Sequence, residues 1–257
     1  MRLLTVLAAS LVAVVVLMTV TALVSRRVGR VSVVDVTWGL GFVLIALVSA
    51  VLGDEPVRWL LLPMVAVWGL RLAWHIGRRQ LAHPEEDPRY ARMLGDGGFA
   101  AAVKRVFVVQ GLAMWFVSLP VQVGAATGTK WSWLVYVGVV VWAVGLVFES
   151  VGDAQLTAYK KDPDRRPVMD EGLWGWTRHP NYFGDFCLWW GIWIVGGLAG
   201  GLLPALTILS PAVMAYFLVF ASGARLLESS MMKRDGYPEY AGRTSMFFPL
   251  PPRKRVG

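Results

Sequence analysis

Apolar residues run through this chain in long blocks separated by short polar stretches, the pattern of helices that cross a bilayer rather than of a water-soluble domain. LLTVLAASLVAVVVLMTVTALV over 3–24 and WLVYVGVVVWAVGLVF over 133–148 approach or reach the roughly 20 apolar residues needed to span the hydrocarbon layer. Seven blocks are predicted: 3–24, 33–52, 58–76, 105–125, 133–156, 182–203 and 207–228. The predicted fold class is an all-α integral membrane protein of about seven transmembrane helices, with residues 1–257 forming one multi-helix domain. The first block is too long for a signal peptide and is followed by a basic cluster, so it is expected to stay as a helix.

Composition agrees with the pattern, since 56% of the 257 residues are hydrophobic and only 16% are charged. The net charge of +8 would suit a nucleic-acid partner if it were spread over a surface, but it is not. Lys and Arg concentrate in alternate connectors: Arg26, Arg27 and Arg30; then Arg78, Arg79, Arg89, Arg92, Lys104 and Arg105; then Lys160, Lys161, Arg165, Arg166 and Arg178; then Lys233, Arg234, Arg243, Arg253, Lys254 and Arg255. The opposite side has only Arg2, Arg58 and Lys130. By the positive-inside rule this places the N-terminus outside and the C-terminus in the cytoplasm, as an odd number of spans requires. The surplus is a topology signal, no nucleic-acid partner is expected, and the terminal PPRKRVG is read as a solvated basic tail near anionic headgroups. One cysteine, Cys187, and three histidines provide neither an intrachain disulfide nor a zinc or iron-sulfur ligand set, so no metal is predicted.

The charges left inside the blocks are more informative. Asp35, Arg71, His75, Glu149, Asp153, Asp185, Arg225 and Glu228 all fall in the predicted cytoplasmic halves of their helices. An ionisable residue at a helix centre costs roughly 2.5–3.5 kcal/mol on insertion scales, which makes such residues candidates for a site. Snorkelling to the interface accounts for the arginines but poorly for short acids. Arg71 with His75, Glu149 with Asp153, Asn181 with Asp185, and Arg225 with Glu228 are three or four residues apart, so each pair shares a helix face. A polar pocket open to the cytoplasm is predicted from these faces.

The densest stretch is EGLWGWTRHPNYFGDFCLWWG, 171–191. Arg178, His179, Asn181, Tyr182 and Asp185 place a guanidinium, an imidazole, an amide, a phenol and a carboxylate within eight residues, a set able to hold phosphate oxygens, an amide and ribose hydroxyls. No G-x-G-x-x-G motif follows a predicted strand, so a nicotinamide cofactor would be bound by the helices themselves.

TRHPNYFGD followed by WWG, and RLLESSMMKRDGYPEYAGRTSMFFP over 225–249, resemble the membrane-embedded reductase superfamily that includes the steroid 5-alpha-reductases and the sterol C14 and C7 reductases. The nearest likeness is to a bacterial branch of uncharacterised proteins grouped with the 5-alpha-reductase C-terminal domain, and SVVDVTWGLGF, GLRLAWHIGRR and HPEEDPRY extend it over most of the chain. The resemblance implies an oxidoreductase that binds NADPH from the cytoplasmic side and reduces a carbon-carbon double bond in a lipophilic small molecule: a sterol, an unsaturated acyl chain or a polyprenoid. It implies that Asp153, Lys160, Arg178, His179, Asn181, Tyr182, Asp185, Arg225, Glu228, Tyr237, Tyr240 and Arg243 contact the cofactor. The family's second-helix acid corresponds to Asp35, but its third-helix tyrosine falls on Trp68, a departure that argues against a steroid enone. Asp35, then Glu149, are the expected proton donors. The alternatives are a membrane methyltransferase using S-adenosylmethionine, of the isoprenylcysteine carboxyl or phospholipid type, whose RHP loop is similar, and a non-enzymatic lipid-binding or transport protein. The expected location is the cell (plasma or inner) membrane, in contact with its lipids.

Overall fold

The computed structural model describes residues 1–83, 85–221 and 223–251, so Arg253, Lys254 and Arg255 of the basic tail lie outside the described residues. These residues fold as helices, and seven of them are long and apolar enough to cross a membrane. The protein is a multi-pass membrane protein. Its helices are α1 (Arg2–Val28), α2 (Val33–Leu52), α3 (Arg58–Ala82), the short α4 (Pro88–Leu94), α5 (Gly98–Thr127), α6 (Ser132–Lys161), α7 (Pro180–Gly196), α8 (Leu202–Phe220), α9 (Ala224–Met231) and α10 (Tyr237–Arg243). Three 3-10 residues carry the sixth span on to Gly200.

Local chemistry sets the boundaries. α1 ends at Gly29, whose φ of 74° is the left-handed C-cap conformation that glycine adopts without penalty, with Arg26 and Arg27 in the last turn. α4 starts because Asp87 caps the N–H of Arg89 at 2.8 Å and Pro88 occupies the first turn, where its missing donor costs nothing. α5 contains a π-helical turn at Val103–Phe107 and a break at Ser118 ahead of Pro120.

One expectation is corrected here. The last predicted block, 207–228, is not one helix: the span ends in a π-helical turn at Phe217–Ala221, Gly223 has a non-helical backbone, and a separate amphipathic helix begins at Ala224. Arg225 and Glu228 therefore belong to a helix beyond the span rather than to its inner half. The third and fifth spans also run further than their apolar blocks, to Ala82 and Lys161, because Arg, Gln and Lys are good helix formers that continue a helix into water.

Two compact units are distinguished by their contacts: residues 1–135 with 192–210, and residues 136–191 with 211–257. In the first, α2 packs on α1 and closely on α3, and the α2–α3 crossing is built on two glycines. A Cβ on Gly39 would strike the Gly69 carbonyl oxygen, and one on Gly69 would come within 2.6 Å of that of Gly39. Gly196 packs on Pro120 and Gly124, and Gly201, with φ of 106°, makes a turn, so both serve packing and chain reversal. In the second unit, α6 and α7 meet along a glycine seam. A Cβ on Gly145 would lie 2.5 Å from Gly184 O, one on Gly191 2.6 Å from the Trp142 nitrogen, and one on Gly152 3.2 Å from Pro180. The tryptophans divide: Trp59, Trp131 and Trp133 are exposed near span ends, whereas Trp68 and Trp189 are fully buried.

Candidate functional site

Each unit gathers its own polar cluster. In the first, Asp35 sits in the opening turn of α2 and meets Arg89 and Tyr90 at the start of α4. Tyr90, in α4, donates its hydroxyl to Asp35 Oδ1 at 2.5 Å, and Gln110 of α5 donates its amide Nε2 to the same phenol oxygen at 3.0 Å. Arg89 reaches Asp35 Oδ2 at 3.3 Å and is held on its other side by Asp87, at 3.0 Å from Nε and 2.9 Å from Nη2. The chain ahead of α4 is pinned so that these contacts can form. The Glu86 carboxylate accepts from the N–H groups of Val31 and Ser32 at the start of α2, and Gln80 donates to Ser32 O at 2.6 Å. Burial, and then the facing Asp35, push the Tyr90 phenol well above its ordinary value, so it stays protonated and available as a donor.

In the second unit the α6–α7 seam brings two predicted acids and an amide together. Glu149 and Asp153 are buried on α6, Gly184 lies against the backbone of Glu149, and Asn181 donates to Asp153 Oδ1 at 3.2 Å. The Tyr182 ring stacks parallel to that of His179, with centroids 5.5 Å apart.

A separate clasp joins the 170–179 connector to the residues after α8. Glu228 is its hub: Arg178 donates to it from Nε and Nη2, both at 2.9 Å, His179 Nε2 lies 3.0 Å away and Tyr237 donates at 2.8 Å. Arg178 Nη1 also donates to the carbonyls of Ala241, at 2.9 Å, and Thr244, at 2.5 Å. Tyr240 donates to Trp174 O at 2.5 Å, and Arg243 pairs with Asp170. Burial opposes ionisation of Glu228, but the bonds from His179, Arg178 and Tyr237 outweigh it and hold its carboxyl down to about 2. Burial and then Glu228 push the Tyr237 phenol up. An open depression of about 180 Å³ beside the clasp is lined by Tyr159, Asp164, Arg165 and Asp170 among others.

The predicted residues thus fall into three groups. Arg178, His179, Glu228, Tyr237, Tyr240 and Arg243 are drawn together, bonded to one another or to the connector. Asp153, Asn181, Tyr182 and Asp185 line the first two turns of α7 and the facing turn of α6, where Glu149 is also found. Lys160 is exposed in the last turn of α6, and Arg225, three residues from Glu228 on α9, is exposed with its guanidinium 4.5 Å from the Phe220 ring centroid. Asp35 belongs to the first unit, with Tyr90, Arg89 and Gln110, none of which the apolar pattern singled out as site residues. The signal for Tyr90 was present in Asp87-Pro88, a helix start three residues before it.

The chain matches, over residues 21–244, the family described as Protein of unknown function (DUF1295), and it belongs to that family. No curated protein and no solved structure matches it.

Proposed function

We propose that this member of the DUF1295 family is a membrane reductase that uses NADPH to saturate a carbon-carbon double bond in a lipophilic substrate, as its likeness to the steroid 5-alpha-reductase group implies. The observation that carries the reading is the Tyr90–Asp35 hydrogen bond of 2.5 Å. The likeness leads one to look for a second-helix acid beside a tyrosine, and the third helix offers only Trp68, which is buried against Phe42. The tyrosine comes instead from α4. An alkene conjugated to a carbonyl, unpromising from the sequence, is the substrate class that this pair suits.

Bound NADPH would supply a hydride to one alkene carbon. The Tyr90 proton, resting on Asp35, would turn to a carbonyl oxygen arriving beside it, and Gln110, donating to the same phenol oxygen, would stabilise the charge left there; the enol so formed becomes the saturated carbonyl compound by moving that proton to the neighbouring carbon. Asp35 stands behind Tyr90 to relay a replacement proton from water to the phenolate, and Arg89 fixes its second oxygen. Glu86, bonded to the start of α2, holds the chain ahead of α4 and keeps these groups in register.

Residues of the second unit suit the cofactor, with Arg178 and Lys160 reassigned. Arg178 uses Nε and both Nη atoms in the clasp, so it positions the connector rather than offering a fork to phosphate. Asn181 and Asp153 provide the donor and acceptor that a carboxamide requires, and Arg165 and Arg166, which line the depression and are exposed, provide cations for phosphate oxygens. The distribution of Lys and Arg supports an N-terminus outside and a cytoplasmic C-terminus in the cell membrane, which would leave this cofactor side facing the cytoplasm.

The test is a titration of the purified protein in detergent with NADPH, NADH and S-adenosylmethionine, followed by thermal unfolding. Protection by a nicotinamide nucleotide supports the proposal. Protection by S-adenosylmethionine alone would move the protein to the methyltransferases. Lipid extracts of cells with and without the gene should then differ in a pair of species two hydrogens apart, and Tyr90→Phe should give the profile of cells without it.

A further inference from the structure

The residues after α10 pack beside the start of the sixth span. The sixth span, Pro180–Gly200, has 21 residues, so at 1.5 Å per residue it is about as long as the ~30 Å hydrocarbon layer is thick. Phe183 and Phe186 are three and six residues into it, about 4.5 and 9 Å along the axis. Both Phe247 and Phe248 pack against them: Phe247 at 6.2 and 5.7 Å between ring centroids, Phe248 at 6.0 and 5.9 Å. A tail that is sequentially well past the last span therefore lies beside the first two turns of an earlier one. Phe247 is buried there, while Phe248 and Leu250 are each 57% exposed, and Trp176, whose carbonyl accepts the Leu250 N–H at 3.0 Å, is 49% exposed.

We infer that residues 245–251 form a shallow wedge in the lipid, with Phe248, Leu250 and Trp176 as its lipid-contacting surface. Two independent observations carry this. Phe248, Leu250 and Trp176 are exposed apolar side chains, and Phe248 packs beside the first two turns of the span, at a depth where water gives way to acyl chains. The backbone is also prepared for it. Irregular chain is tolerated at such a depth only where its polar groups are satisfied by protein. Here Ser245 O accepts from the Arg178 N–H at 2.9 Å, the carbonyls of Met246 and Phe247 accept from the Thr177 hydroxyl at 3.2 and 2.8 Å, and the Leu250 N–H is taken by Trp176. Pro249 and Pro251 have no N–H to leave stranded. The occupant of this surface is the lipid bilayer, at the boundary between headgroups and acyl chains.

The experiment measures spin-label accessibility in lipid nanodiscs. In a Cys187→Ala background, which removes the chain's one cysteine, labels are placed at Phe248→Cys and Leu250→Cys. Val140→Cys, 63% exposed on α6, serves as the lipid reference, and Glu239→Cys, exposed on α10, as the aqueous one. The ratio of oxygen to water-soluble nickel-chelate accessibility at 248 and 250 is expected to exceed that at 239 by about threefold or more and to approach that at 140, because oxygen concentrates in hydrocarbon from which the chelate is excluded. A ratio equal to that at 239 would overturn the inference. Exclusion of both reagents would overturn it too, by showing that protein covers the surface, whether a second copy or another partner. Leu250→Cys decides the matter if Phe248→Cys does not fold.

Discussion

Tyr90 and Asp35 are 55 residues apart in sequence and share a hydrogen bond of 2.5 Å, made between a helix within a span and a short helix outside any span. The contact is directional. A carboxylate can only accept, so the phenol proton points at Asp35, and the Gln110 amide must then present its N–H to the oxygen of Tyr90. Removing the hydroxyl in Tyr90→Phe leaves both Asp35 and Gln110 short of a partner. A cost of about 1–3 kcal/mol in stability is expected, seen in thermal unfolding, together with a turnover loss of about a hundredfold or more if the pair delivers the proton. Gln110→Leu should reproduce part of the turnover loss with Asp35 still bonded.

Glu228 provides a pH signature. Its carboxyl is held at about 2, below the ordinary value near 4.5, so the stability it contributes is fully present above about 4.5 and disappears as the pH falls through 2. The clasp is expected to loosen over that interval, read as faster proteolysis after Lys233 or Arg234 by a protease active in acid. In Glu228→Gln the clasp should be weaker at neutral pH, by about 2 kcal/mol, and largely indifferent to acid.

Two arginines that look alike in the sequence should behave differently. Arg178→Ala removes four hydrogen bonds and leaves Glu228 with less to balance its charge, with an expected loss of about 2–4 kcal/mol. Arg225→Ala removes an exposed cation from the face of Phe220 and should cost under about 1 kcal/mol. Arg178→Lys should resemble the alanine variant, since an ammonium cannot bridge both oxygens of Glu228 and two tail carbonyls. Thermal unfolding of the three proteins in one detergent is the measurement.

The glycine seam is tested by Gly184→Ala. Its Cβ would meet the Glu149 nitrogen and, at 2.6 Å, the Gly145 oxygen, both backbone atoms that cannot step aside. A loss of about 1–3 kcal/mol is expected, with a weakened response to NADPH because Asn181 and Asp153 are drawn apart. Gly242→Ala, on α10 with nothing within 4 Å of the new methyl, is the control and should be neutral or slightly stabilising.

The spans were legible because hydropathy and helix length answer to the same bilayer thickness. What hydropathy could not show was where a span ends when polar helix formers follow it, as at Lys161, or when a glycine interrupts it, as at Gly223. The gathering of Arg178, His179 and Glu228 was anticipated as a shared location, but not that they would bond to one another, because spacing along a helix says nothing of contacts 50 residues apart. The α6–α7 seam left a trace: Gly138, Gly145 and Gly152 recur every seven residues, as do Gly184 and Gly191, the interval that keeps one face turned toward a neighbouring helix. Tyr90 was hidden because its neighbourhood is a polar connector, where periodicity carries no signal.

The clasp also has a history in time. During synthesis Arg178 emerges well before Glu228, with two membrane spans still to be made between them. Through that interval it lacks its Glu228 partner and counts among the Lys and Arg residues that bias which side of the membrane a connector occupies. Once Glu228 arrives, the same guanidinium changes employment and fastens the tail. The residue is first an address and then a lock, and the lock can close only on a chain whose insertion is already complete.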